Sequence, residues 1–138
     1  MDRKDGADVT KALVAVLHGN PAAVQVLLSV EHKDLQAAGV AVGRPALVTR
    51  SAAVRVLRGL LDKSWTPEQA QAWASFVRRG YVAGHGVHPV RPLDIDFDGA
   101  CEEEIAAAVS RLDEIGDLVD GEVTTDEILD LLQLLGEL

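Results

Sequence analysis

The sequence predicts a single-domain, all-α bundle of about six helices, with at most one short extended segment near 93–97. Three observations predict it. The chain has 138 residues, enough for one domain with a core of its own. It is 48% hydrophobic but only 4% aromatic, so the core must be built from Ala, Val and Leu, a mix that favours closely packed helices. Apolar residues also recur at three- and four-residue spacing along most of the chain, between caps, glycines and prolines. There is no sustained internal repeat and no low-complexity segment. Residues 1–45 form an N-terminal hairpin region, and residues 46–138 form the bundle with its acidic C-terminal part.

Over 8–18, Val9, Leu13, Val16 and Leu17 share a helix face, and Gly19 ends the helix. Asn20 then caps a new start, and Pro21 fits a first turn whose N–H would be unpaired anyway. Val24, Leu27 and Leu28 give the second helix its apolar face. A weaker helix follows over 34–42, broken by Gly43, Arg44 and Pro45. The spacing predicts a long helix over 46–63, with Leu47, Val54, Leu57 and Leu61 inward and Arg50, Arg55 and Arg58 mostly outward.

Thr66, Pro67 and Gln69 spell a capping box for the next helix. Its face carries Ala70, Trp73, Phe76 and Val77, which makes Trp73 a core anchor. Residues 80–92 form a Gly/Pro/His loop. Over 93–98, Leu93, Ile95 and Phe97 alternate with Asp94, Asp96 and Asp98, a period-two strand signal. The last two helices are expected at 101–116 and 125–136. In the first, Ile105, Ala108, Val109, Leu112 and Ile115 face in. Glu103, Glu114 and Asp117 lie opposite, with Asp113 on the flank. In the second, Ile128, Leu131, Leu132 and Leu135 face in, while Asp126, Asp130 and Glu137 face out.

The net charge is −9, and it is unevenly spread. Residues 1–91 hold 12 Lys/Arg and 7 Asp/Glu, whereas residues 92–138 hold 15 Asp/Glu and a single base, Arg111. A field of that sign repels nucleic acid and membrane surfaces and attracts cations or basic proteins. No apolar run approaches the ~20 residues that span a bilayer. The start of the chain leads into no secretory h-region, and one cysteine, Cys101, allows no intrachain disulfide. A cytoplasmic protein is the expectation.

The acidic stretches invite a calcium reading. Around Gly121, however, the loop positions for ligands one and three are Gly116 and Leu118, so the set is incomplete. A turn at Asp120-Gly121 and a capping box from Thr124 to Glu127 explain that segment better. The stretch DIDFDG is closer: Asp94, Asp96, Asp98 and Glu102 fill four ligand positions, yet Ile105 stands where the bidentate Glu belongs. It also resembles the excalibur calcium motif, one residue short and without its partner cysteine. His85 and His88 are too few for a stable metal site. Cys101 sits among glutamates that disfavour its thiolate, and there is no phosphate loop, HExxH or GxSxG. No catalytic residues, no bound metal and no cofactor are expected.

The segments EQAQAWASFVRRG, DIDF and EEEIAAAVSRLDEIGDLVDGEVTTDEILDLLQLL together resemble the bacterial self-protective immunity proteins typified by the colicin D immunity protein. The resemblance covers about 51–138 and is sharpest over 105–135; the N-terminal hairpin of 1–45 departs from it. It implies a compact helical bundle that binds a toxic ribonuclease domain, its acidic face standing in for the phosphates of transfer RNA. Asp113, Glu114, Asp117 and Asp120 match the acidic positions of that motif. With Glu103 from the helix-face reading, these are the candidate partner-binding residues, and a basic toxin domain is the expected partner. The alternatives are a calcium module using Asp94, Asp96, Asp98 and Glu102, and a helical interaction subunit of another complex whose acids serve solvation only.

Overall fold

Seven helices and one pair of short strands carry the backbone hydrogen bonding of the residues that the computed structural model describes: 6–43, 46–80, 93–116 and 122–137. The order is α1 (Gly6–Leu17), a 3-10 turn (Pro21–Ala23), α2 (Val24–Leu28), α3 (His32–Val42), β1 (Ala46–Val48), α4 (Arg50–Leu61), α5 (Pro67–Arg79), β2 (Ile95–Phe97), α6 (Glu102–Asp113) and α7 (Thr125–Leu134). The all-α expectation holds, with the strand pair as its one exception.

Local chemistry sets most boundaries. Asn20 caps the turn after α1, its side chain accepting from the Ala22 N–H at 3.2 Å. Thr66 and Gln69 close a reciprocal capping box on α5, and Thr124 and Glu127 close another on α7. Each satisfies two backbone donors that a helix start leaves unpaired. Gly80 ends α5 in the left-handed conformation, at φ 78°.

One expected helix is divided. Residues 46–63 were expected to be continuous, but Ala46–Val48 is a strand and the helix begins at Arg50. The Thr49 hydroxyl accepts from the Ala52 N–H at 3.2 Å, which fixes Thr49 as an extended N-cap. The three preceding residues cannot then join the helix, and they pair instead. β1 runs parallel to β2 in the register Ala46↔Ile95, Leu47↔Asp96, Val48↔Phe97. The Ala46 N–H bonds Asp94 O at 2.8 Å, and the Asp98 N–H bonds Val48 O at 3.0 Å. Leu47 therefore points outward and is 45% exposed, not inward as expected.

The core is a single cluster of Ala, Val and Leu, with Trp73, Phe76 and a few isoleucines. Trp73 is fully buried, and its indole N–H donates to Val16 O at 2.7 Å, tying α5 to the end of α1. Gly19 lets the chain leave α1 tightly against α4: a Cβ there would lie 2.3 Å from Ala52 O. Among the described residues no helix is long and apolar enough to cross a membrane.

Candidate functional site

The acidic part of the molecule is built on α6 and α7. Cys101 occupies the N-cap of α6 without a side-chain hydrogen bond. Glu102, Glu103 and Glu104 follow in the first turn, where negative charge complements the helix dipole. The outward row of α6 runs Glu103, Ala107, Ser110, Glu114 at helical spacing. Its two acids stand at opposite ends, roughly 16 Å apart at 1.5 Å per residue. That exceeds the screening length of about 8 Å at physiological salt, so they act as two separate charges.

Asp113 behaves differently from its expected role. Its carboxylate meets Arg78 Nη1 at 2.9 Å and accepts from Gln71 Nε2 at 3.2 Å. The residue as a whole is half-buried, but its side chain is only 5% exposed. Gln71 and Arg78 are seven residues apart, on one face of α5, and both reach it. Asp113 thus fastens α6 to α5 and is not presented outward. That role was hard to find from the acidic motif. The signal lay in the polar pair Gln71/Arg78, two turns apart on the flank of the apolar face of α5. Asp117 and Asp120 lie outside the described residues, as do His85 and His88.

Arg111 organises the start of α7. It meets Glu127 Oε2 at 2.6 Å and donates to Glu122 O at 2.9 Å. The hydrogen bond from Arg111 holds the Glu127 carboxyl below the usual glutamate range. Glu137, expected to face out, turns back instead. One oxygen meets Arg50 Nη2 at 2.5 Å and the other Arg58 Nη2 at 2.7 Å. Each of these three acids, Asp113, Glu127 and Glu137, is therefore matched to arginine. Glu103, Glu114, Glu122, Asp126 and Asp130 have no ion pair among the described residues, and Glu103, Glu122, Asp126 and Asp130 are exposed.

The DIDFDG stretch is strand and turn. Asp94 and Asp96 are exposed along the strand, and Asp98 accepts from the Ala100 N–H at 3.1 Å within the turn. Glu102 belongs to the first turn of α6. Pairing with β1 keeps Ile95–Phe97 extended, and the chain turns only after Asp98. Among the described residues no three His, Cys, Asp or Glu side chains converge as a metal site needs. Burial, more than charge, pushes the Cys101 thiol up; Asp98 and Glu104 add to this, and Arg50 opposes it.

No family model, no curated protein and no solved structure matches this chain.

Proposed function

We propose that the protein is an immunity- or antitoxin-type inhibitor that occludes a basic, phosphate-handling toxin domain with the acidic surface of α6 and α7. One observation carries the reading. Asp113, Glu127 and Glu137 are matched to arginines, while Glu103 on α6, Glu114 at its C-cap, and Asp126 and Asp130 on α7 have no ion pair among the described residues. A nuclease site is basic because it binds phosphates. Carboxylates at fixed positions can take the place of those phosphates, and complementary charge speeds capture of a toxin that must be stopped quickly. The pattern resemblance to the colicin D immunity proteins supports the same class of partner, and Asp117 and Asp120 extend the acidic run in sequence. Asp113 is withdrawn from the binding set because Arg78 and Gln71 already hold it.

The test is affinity capture from the source cells with the wild-type chain beside a variant in which Glu114, Asp117 and Asp120 are all changed to Lys. The expected result is a basic domain retained by the wild type and lost by the folded variant. That domain should cleave RNA alone and stop when wild-type protein is added, and affinity should fall with salt, chiefly through the on-rate. A folded variant that captures and inhibits as well as wild type would overturn the reading.

A further inference from the structure

A second charged surface lies on α4, and it has the opposite sign. Arg50, Arg55 and Arg58 line a groove of about 490 Å³ whose wall is Trp65. The indole lies flat against the helix where Gly59 has no side chain, since a Cβ there would meet it at 2.1 Å. Its N–H donates to Val56 O at 2.9 Å, which fixes the ring. Asp62, at one end, is turned into Ser64 and accepts both its N–H and its hydroxyl.

The groove already holds one carboxylate. Glu137 enters it from the segment after α7 and is gripped by Arg50 and Arg58, which stand two turns, or about 12 Å, apart on the helix. Arg55, exposed in the same groove, has no acidic partner among the described residues. A cradle of guanidiniums beside a fixed aromatic ring suits a carboxylate carried on a peptide. The guanidiniums fit the carboxylate plane, and the ring covers the adjoining apolar stem.

We propose that this groove is a binding site for an acidic peptide segment of a partner protein, and that Glu137 is an internal occupant which such a segment displaces. The site is independent of the acidic surface of α6 and α7. A chain of net charge −9 repels an anionic peptide overall, so any binding must arise from a local cationic surface.

The probe is a labelled hexaglutamate peptide, titrated by fluorescence anisotropy at low salt. Glu137→Gln should bind it about tenfold more tightly than wild type, as removing an internal competitor raises the open fraction. Adding Arg55→Glu to that variant should abolish binding. Arg55 has no described partner to lose, so that change should leave the fold intact, as a thermal melt would verify. The proposal is overturned if Glu137→Gln binds no tighter than wild type, or if Arg55→Glu leaves binding unchanged. It is also overturned if inorganic phosphate displaces the peptide at equal concentration, which would make the groove a general anion site.

Discussion

Helices α4 and α6 begin alike and end up opposite. Each has twelve residues, and each follows a strand of the same parallel pair. α4 opens with Arg50 and carries three arginines outward, whereas α6 opens with three glutamates. Arg50 in a first turn opposes the helix dipole, and Glu102, Glu103 and Glu104 complement it. The fold responds accordingly. α4 has a side-chain cap from Thr49 and a returning carboxylate from Glu137. α6 has no side-chain cap, and its glutamates take that place electrostatically. Unfavourable charge was offset inside the molecule, and the favourable charge was left facing out.

That contrast assumes that both helices are held by the core, independently of their surface charges, and the largest predicted effect tests this. Trp73→Ala should destabilise the protein by roughly 3–5 kcal/mol, the cost of emptying a large buried aromatic site. It also removes the indole's hydrogen bond to Val16 O, which keeps its bond from the Gly19 N–H at 3.0 Å. A thermal melt within a few degrees of wild type would show that the helices are not organised around this residue.

A smaller effect separates carboxylates that serve the fold from those that do not. Asp113→Ala should cost about 1.5–3 kcal/mol, the range for hydrogen bonds to a charged group. Arg78 is 54% exposed and can return to water, which keeps the loss below that of a fully buried pair. Denaturant unfolding of Asp113→Ala beside Glu114→Ala checks it. Equal midpoints would erase the distinction between matched and unmatched acids.

Most helices were legible because their signals are local. The Thr66 and Thr124 capping boxes, Asn20-Pro21 and the spacing of Ile105, Val109 and Leu112 each fix an element within one or two turns. The strand at Ala46–Val48 was not, because three apolar residues before a helix look like its first turn until Thr49 is known to be the cap. Glu137 and Asp113 were misplaced for a related reason. A helix wheel gives the direction of a side chain on its own helix, but it cannot reveal that Arg50 or Arg78 waits on a neighbour. The acidic surface was legible as composition, while its division into matched and unmatched acids is a tertiary fact.

pH should sharpen the contrast further. Arg111 holds the Glu127 carboxyl below its ordinary range. The stability this pair supplies is therefore complete above the unfolded glutamate pKa of ~4.3, and is lost as pH falls through the lower folded value. Wild type should lose melting temperature more steeply than Arg111→Ala between about pH 5 and pH 3. Parallel acid limbs would mean that the pair adds nothing to the fold.

The smallest effect tests the two ends of the outward row of α6. Glu103 lies in the first turn, where its charge favours the helix; Glu114 is the C-cap, where the same charge opposes the dipole. Glu103→Gln should therefore lose a few tenths of a kcal/mol at low salt, and Glu114→Gln should gain about as much. Both shifts should vanish in 1 M salt, where screening shortens to about 3 Å. Mutual repulsion among the acids would instead make both substitutions stabilising, so the sign of the Glu103 change decides between the two causes. A pair of melts at low and high salt reads that sign. If Glu103→Gln stabilises, the α6 glutamates burden their own helix and do not substitute for the missing cap. The favourable side of the contrast with α4 would then fall, and the acids would be tolerated for binding alone.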